Sequence, residues 1–178
     1  MARQYFQDGP FIDPPVASGS ALVSTSAEAL WLATQFTPIF ANDPKAGKIY
    51  CVRAGGIMST GASGTLILAP QYGALGGTAL GASVTQTTVV SLTNVPWYLY
   101  FDLVFRTIGA TGANSTCIGT GFFNAGGAAA TAGSSIGLTF GGTSATVDVT
   151  ANSGITISKT LSVAGSFTTQ YAYIFSRN

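Results

Sequence analysis

The stretch from Asn94 to Ala110, "NVPWYLYFDLVFRTIGA", constrains the fold more than any other part of this chain. Alternate side chains of a β-strand point to opposite faces. One alternate set here is uniformly large and apolar: Trp97, Leu99, Phe101, Leu103 and Phe105. The other set is mixed: Tyr98, Tyr100, Asp102, Val104 and Arg106. The pattern predicts a strand that buries the first set, at roughly 1.5–3 kcal/mol for each side chain, and turns Asp102 outward.

Similar period-two segments recur along the chain and predict an all-β fold. They cover residues 48–60, 64–73, 82–92, 115–123, 144–150, 154–164 and 166–176. Turn residues separate them every 8–15 residues or so, and no segment has a convincing helical pattern. We therefore expect a single β-sandwich domain over residues 21–178, with 8–10 antiparallel strands. Jelly-roll connectivity is the first choice, although periodicity does not give the strand order.

Several finer features follow from the same patterns. The pair Gly55-Gly56 indicates a β-bulge, and Gly119 and Gly121 share one strand face that a neighbour can approach closely. The Ala/Gly-rich tract 124–142 is predicted to be a long loop with one short strand at 136–140.

The last strand repeats the aromatic alternation of the first stretch. One alternate set is Phe167, Thr169, Tyr171, Tyr173 and Phe175. Because aromatic pairs across strands stabilise sheets, the two aromatic-rich strands are expected to be neighbours.

Residues 1–20 are predicted to form a separate, extended N-terminal arm. Its prolines and glycines block regular structure, as in "GPFIDPP" from Gly9 to Pro15. Its apolar side chains suit a segment that packs on its own domain or on a neighbouring subunit: Tyr5, Phe6, Phe11 and Ile12. A disordered terminus is the alternative.

The composition excludes several classes of partner. Charged residues make up only 7% of the chain and the net charge is +1, so no basic patch exists for nucleic acid. No apolar run approaches the roughly 20 residues that span a bilayer, and the N-terminus lacks an apolar signal-peptide core, so we expect no export by a standard signal. So little charge suits a surface held against other protein, although a merely Thr-rich soluble domain would also fit.

The residues offer no catalytic or metal constellation. The chain has no histidine, so the serine of "GSSIG" (Ser135) lacks the usual base of a nucleophile elbow. Asp102 and Asp148 are both predicted to lie mid-strand, where solvated faces explain them as well as a catalytic pair does. Cys51 and Cys117 show no metal-site spacing and are predicted to be buried free thiols. We expect no enzyme activity, cofactor or metal.

The outward residues Tyr98, Tyr100 and Arg106 have two interpretations. Exposed aromatic rings on a sheet face can form a stacking platform for sugars. Ordinary packing of tyrosines on a sheet explains the same pattern.

Three segments resemble a group of small virion proteins of tailed bacteriophages. They are "STSAEALWLATQFTPIFANDPKAGKIYCVRAGGIMST", "GTLILAPQYG" and "VPWYLYFDLVFRTIG". In that group a Ser/Thr strand precedes a Trp, a Pro-containing link follows, and "KAGK" opens a long strand. The resemblance covers most of residues 21–110, and the "PWYL" strand is part of it.

The resemblance implies a decoration, or minor capsid, protein of the β-sandwich type. Such a protein is made in the host cytoplasm, resides on the capsid surface of the virion and binds the major capsid protein, commonly as a trimer. The partner-binding residues are then expected among the apolar side chains of the arm and the outward residues Tyr98, Tyr100 and Arg106. A jelly-roll domain of a tail fibre or baseplate, with carbohydrate binding, is the alternative.

Overall fold

The computed structural model describes residues 22–23, 25–31, 39–60, 64–83, 85–87, 92–126 and 136–177. The arm, residues 1–20, lies outside the described residues. Within them the chain forms ten strands and no helix. The all-β prediction is therefore confirmed, and no described helix is long and apolar enough to cross a membrane.

Five long strands form the first sheet, called sheet I. They are β2 (Ile49–Thr60), β6 (Leu92–Thr107), β7 (Ser115–Ala125), β8 (Ile136–Val147) and β10 (Gly165–Arg177). Their order across the sheet is β10-β2-β6-β7-β8, and every pair is antiparallel. β6 thus lies in the middle of the sheet, which suits a strand whose inner face carries only large apolar side chains from Trp97 to Phe105.

The second sheet, sheet II, is smaller. It contains β1 (Glu28–Ala29), β3 (Thr65–Tyr72), β4 (Thr78–Ala79), β5 (Gln86–Thr87) and β9 (Ile155–Leu161). The order is β1-β9-β3-β4, with β5 also paired to β3, and these pairs are antiparallel as well. Of the strand predicted over residues 82–92, the described part contains only β5 and the first residue of β6.

The two sheets enclose one hydrophobic core, as expected for a β-sandwich. Tyr72 of sheet II meets Phe105 of sheet I edge to face, with ring centroids 6.1 Å apart. Trp97 packs against Phe123 and Phe167, at centroid distances of 5.9 and 4.8 Å. The indole N–H of Trp97 donates to the carbonyl oxygens of Ile57 and Thr168, so the polar atom of this buried ring is satisfied. The strand order does not confirm a jelly roll, and that connectivity stays a prediction.

The predicted faces of β6 are confirmed. Trp97, Leu99, Phe101, Leu103 and Phe105 are each at most 3% exposed. The rings of Phe101 and Phe140 lie directly over Gly119 and Gly121, where a Cβ would collide with them. The close approach predicted for these two glycines is therefore confirmed.

Two of the register shifts in sheet I, in β10 and in β8, change the side-chain alternation in ways that the sequence pattern did not show. In β10 the register shifts between Thr169 and Tyr171, opposite Gly56 and Gly55, so Gln170 is the extra residue. The predicted bulge is at this point of the ladder but on the partner strand. Because a bulge inserts one residue, Phe167 faces the core whereas Tyr171, Tyr173 and Phe175 face outward.

The second bulge joins two strands that were predicted to be separate. Residues 136–140 and 144–147 belong to one continuous β8, in which Gly141 and Gly142 take φ values of 91° and 90°. The register with β7 shifts between Ile118 and Thr120 at this point. Glycine adopts positive φ without the steric cost of a side chain, so the pair lets the strand continue. The strand predicted at 136–140 is therefore confirmed, whereas the prediction that residues 141–142 form part of a loop was wrong.

The prediction that the two aromatic-rich strands are neighbours was also wrong. β2 lies between β10 and β6 and pairs with both. The central residues of β2 on the outer face are small or extended, namely Gly55 and Arg53, so outward aromatic side chains from both sides can approach across it.

Candidate functional site

The outer face of sheet I carries a cluster of six aromatic rings, which we call the aromatic face. Its members are Tyr98, Tyr100, Phe122, Tyr171, Tyr173 and Phe175. The strand register places them in successive rows: Tyr171, Gly55 and Tyr98 lie side by side, and Tyr173, Arg53, Tyr100 and Phe122 form the next row. Adjacent strands lie about 4.8 Å apart, so the whole cluster fits on one side of the molecule.

The rings contact one another across and along the strands. Tyr100 lies 6.3 Å from Tyr98 and 5.9 Å from Phe122, measured between centroids. Tyr173 stacks on Phe175 at 6.0 Å. The Tyr171 ring lies over Gly55, where a Cβ would meet its hydroxyl end. The glycine thus leaves space for the Tyr171 ring to lie over β2, the strand that separates β10 from β6.

The four tyrosines of this face remain open to solvent although their neighbours are packed. Tyr98, Tyr100, Tyr171 and Tyr173 are 38–43% exposed, and the two other tyrosines that the structure describes, Tyr50 and Tyr72, are buried. Other exposed large apolar side chains, such as Phe40 and Leu75, lie on connecting segments outside the strands. Among the described residues, exposed rings are therefore concentrated on the aromatic face, and exposed apolar clusters of this kind are typical of interaction sites in general.

Arg53 is the central cation of the aromatic face. Its guanidinium lies 5.2 Å from the Tyr100 centroid and 5.7 Å from the Phe175 centroid, and its Nη1 donates to Asp102 Oδ1 at 3.1 Å. The guanidinium of Arg177 also lies over the Phe175 ring, 5.5 Å from its centroid. Cation–π contacts of this kind contribute about 0.5–1 kcal/mol each at exposed sites, and they hold the Arg53 guanidinium beside the Tyr100 and Phe175 rings.

The thiol of Cys51 is buried close to Asp102 and Arg177. Cys51 faces outward by strand parity, beside Asp102 on β6 and Phe175 on β10, yet it is fully buried. Burial raises the pKa of the Cys51 thiol, and the nearby Asp102 carboxylate raises it further, which outweighs the opposing effect of Arg177. Cys117 faces the core, and both cysteines are free, as predicted.

The burial of Tyr171 against its neighbours also affects its ionisation. Partial burial raises the pKa of the Tyr171 phenol, with further contributions from Tyr173 and Tyr98. The phenol therefore stays protonated at neutral pH and presents a hydroxyl that both donates and accepts hydrogen bonds.

The predicted site residues fall into three groups. Tyr98 and Tyr100 are outward and belong to the aromatic face, as the parity of β6 indicated. Arg106 is exposed but is the extra residue of a bulge between Phe105 and Thr107. It lies six residues from Tyr100, which is about 20 Å along the strand, so the aromatic face does not include it. Tyr5, Phe6, Phe11 and Ile12 lie outside the described residues.

Five further residues of this surface were not predicted from the sequence, and one of them is Phe122 on β7. Tyr171, Tyr173 and Phe175 were grouped with the buried Phe167 because unbroken alternation was assumed. Arg53 was not singled out, although the parity of β2 gives it the same face as Gly55. A signal for the bulge was present in the residue types, since three of the five residues in the predicted set carry a hydroxyl and suit a solvent-facing position better than a core.

The candidate carboxylate pair does not form. Asp102 on β6 accepts a hydrogen bond from Arg53 on β2. Asp148 follows the end of β8 and accepts hydrogen bonds from the amide and hydroxyl of Thr150. The mid-strand placement of Asp148 was therefore wrong. Ser135 lies outside the described residues, and within the described ranges no group of three or more Cys, Asp or Glu side chains is placed to hold a metal ion.

A polar cluster separate from the aromatic face lies at the "KAGK" turn that precedes β2. Asp43 accepts hydrogen bonds from Lys48 Nζ and from the Tyr50 hydroxyl, both at 2.6 Å. Burial raises the pKa of Asp43, but these hydrogen bonds and the charge of Lys48 outweigh it and hold the pKa below its usual value. The cluster fastens the turn to the core residue Tyr50 and so has a structural role.

Comparison with protein-family models, with curated proteins and with solved structures found no match to this chain.

Proposed function

We propose that this chain is a virion structural protein that binds the outer surface of a phage capsid and stabilises the shell. Its partner is the major capsid protein, and the chain acts as a homo-oligomer, with a trimer favoured. The sequence resemblance over residues 21–110 supports the class of protein, and the aromatic face supplies a surface for such a contact.

The observation that carries the proposal is the concentration of exposed tyrosines on one sheet face of a chain with 7% charged residues. The cores of protein interfaces are depleted in charge and enriched in Tyr, Trp, Phe and Arg. Tyr and Arg are also frequent among the few residues that dominate binding energy. The aromatic face combines these residue types in one patch, with Arg53 held among the rings.

Stabilisation follows from selective binding. A protein that binds the assembled shell but not the free subunits shifts the equilibrium toward the shell by mass action. The chain then needs no catalytic group, only a surface that fits the assembled lattice. The tyrosines suit this task because they provide contact area with few rotatable bonds to immobilise.

The test is co-sedimentation of the purified protein with capsids of its phage from which this protein has been removed. We expect saturable binding by the wild type and at least tenfold weaker binding by the double variant Tyr98→Ser/Tyr173→Ser. Phe40→Ser is the matched control because Phe40 is 61% exposed but lies outside the aromatic face. Wild-type protein that does not bind would refute the capsid proposal, and equal binding of all three proteins would refute the role of the face.

Carbohydrate binding by a tail-fibre or baseplate domain is the second candidate. It is favoured by the position of Arg53 and Asp102 beside the Tyr100 ring, since sugar recognition combines an apolar ring face with charged hydrogen-bonding groups. A glycan array separates the candidates. This function predicts glycan binding that is lost in Tyr98→Ala and Tyr100→Ala, and an array without signal, or one unaffected by either change, would exclude it.

A further inference from the structure

Arg53 is held in place on the aromatic face and still has hydrogen-bond donors to spare. Its Nη1 donates to the backbone carbonyl of Val52 at 2.8 Å and to Asp102 Oδ1 at 3.1 Å. Its Nε and Nη2 make no hydrogen bond within the described part of the chain, although 17% of the side chain is exposed. Arg53 therefore keeps two nitrogens, with their N–H groups, for a ligand.

Arg177 brings a second guanidinium to the same place. It lies 5.5 Å from the Phe175 centroid, and Arg53 lies 5.7 Å from that centroid. Arg177 is exposed and has no carboxylate within ion-pair distance among the described residues. The two arginines are balanced by the single carboxylate of Asp102, so this end of the face has an excess of positive charge and attracts anions.

The tyrosine rings extend from this positive end along two strands. On β6 the centroids of Tyr98 and Tyr100 lie 6.3 Å apart. On β10 Tyr171 and Tyr173 are two residues apart, which is about 7 Å along a strand. A linear ligand that lies along either strand therefore contacts two exposed rings in succession and reaches Arg53.

The exposed area of these rings limits the size of the ligand. Aromatic side chains bury about 150–250 Å² each, so the exposed parts of the four tyrosines offer about 300 Å² together. A standard protein interface takes about 800 Å² from each partner. A protein that docks here must therefore also contact surface beyond the tyrosines, whereas a ligand of a few small rings is matched by the tyrosines alone.

A sugar ring that carries a carboxylate matches both parts of the face. Its C–H groups can pack on the aromatic rings, whose faces are negative and attract polarised C–H groups. Its carboxylate can accept two parallel N–H bonds from a guanidinium, whose fork fits the two oxygens. A neutral sugar would use the rings but would leave the excess positive charge unmatched.

From these observations we infer that the aromatic face binds an acidic saccharide, a short chain of sugar rings of which at least one carries a carboxylate. The sugar rings stack on the tyrosines, and the carboxylate pairs with Nε and Nη2 of Arg53, with Arg177 as the second cation. Asp102 is a positioning residue for Arg53. The inference rests on the second candidate function, carbohydrate binding, and adds the class of sugar and the residues that select it.

Calorimetric titration of the full-length protein with matched pairs of saccharides tests the inference. The probes are oligosaccharides of galacturonate, mannuronate and sialate, and each is compared with its own carboxyl-reduced form, in which the carboxylates have become primary alcohols. We expect at least one acidic probe to bind about tenfold more tightly than its reduced form. The difference should shrink at high ionic strength, because salt screens exposed charges.

Arginine variants show where the carboxylate lies. Arg53→Gln should lower the affinity for the acidic probe about tenfold and leave the affinity for the reduced form nearly unchanged. Arg177→Gln, which leaves Arg53 and its contacts in place, should have a smaller effect of the same kind. Arg106→Gln is the matched control because Arg106 is an exposed arginine of β6 outside the aromatic face, and it should bind both forms as the wild type does.

The possible failures are distinguishable. If no probe binds in either form, carbohydrate binding and the inference fail together. Equal affinity for an acidic probe and its reduced form, or an Arg53→Gln variant with an undiminished preference for the acidic form, would overturn the inference alone. Self-association that Tyr98→Ser abolishes in sedimentation velocity would assign the face to a second copy of the chain and would also overturn it. None of these measurements involves capsids, so they leave the capsid proposal to its own test.

Discussion

The two faces of sheet I both carry aromatic rings, and they differ in what surrounds those rings. The inner face carries Tyr50, Trp97, Phe101, Phe105, Phe123, Phe140 and Phe167, each at most 4% exposed. The outer face carries the six rings of the aromatic face, whose tyrosines keep 38–43% of their surface exposed. The same residue class is thus enclosed on one face and available on the other.

This difference separates stability from binding. An inner ring is removed completely from water and packs against sheet II, so its loss leaves a cavity. An outer ring contacts only its neighbours on the sheet and has much of its apolar surface still to bury. The outer rings can therefore contribute more on binding than they contribute to folding.

The largest effect is expected on the inner face. Phe101→Ala removes a fully buried ring that stacks on Phe140 with centroids 5.7 Å apart, and it should lower the free energy of unfolding by about 3–5 kcal/mol. Its neighbour on the outer face, Tyr100→Ala, should cost about 1 kcal/mol or less, since the ring is already partly solvated. Chemical denaturation of both variants measures the difference. Equal losses would break the distinction between the two faces.

A smaller loss of stability is expected at Gly55 and Gly56, the glycine pair that lies opposite the β10 bulge. In Gly56→Ala the new Cβ would collide with the carbonyl oxygen of Thr168, a backbone atom beside the bulge. Such overpacking should cost about 1–3 kcal/mol. Gly55→Ala is the matched control because its Cβ meets the hydroxyl end of Tyr171, a side chain that can turn toward solvent. Thermal unfolding should rank Gly56→Ala below Gly55→Ala in stability, and the reverse order would contradict the role given to the bulge.

The smallest effect concerns the rim of the inner face, where Tyr50 donates to Asp43. The folded pKa of Asp43 lies below its ordinary value of 3.8. A lowered pKa means that the carboxylate stabilises the fold fully above pH 3.8 and loses this contribution as the pH falls through the folded pKa. The effect is modest because the side chain is 40% exposed.

Denaturation at several pH values, with Asp43→Asn as the comparison, measures this contribution. We expect the variant to be less stable than the parent at pH 6 and the gap to narrow in acid. A gap that is independent of pH would show that the stabilisation does not come from the ionised carboxylate.

The sequence predicted the two rings of the aromatic face that lie on β6 and missed the three that lie on β10, together with Phe122 on β7. Along β6 the alternation is regular from Val95 to Phe105, so parity alone assigned Tyr98 and Tyr100 to the outer face. Along β10 the extra residue Gln170 reverses the parity after Phe167. A bulge depends on how the partner strand packs, here through Gly55 and Gly56, so it is not determined by the alternation of a single strand.

The loss of Arg106 from the predicted site has a similar cause. Parity placed it on the same face as Tyr100, which is correct for a regular strand, but Arg106 is the extra residue of a bulge and lies about 20 Å along the strand from Tyr100. The cation that meets the rings, Arg53, lies on the neighbouring strand and is 49 residues away from Asp102 in sequence. Only the register of β2 against β6 brings Arg53 to Tyr100.

The sequence by itself determined the all-β class, the core face of β6, the close approach at Gly119 and Gly121, and the burial of both thiols. These features follow from local periodicity and residue size, which a single strand already expresses. The tertiary structure decided the strand order, the two parity reversals and the assembly of six rings around Arg53. They depend on backbone pairing between distant segments, where one inserted residue moves every later side chain to the opposite face.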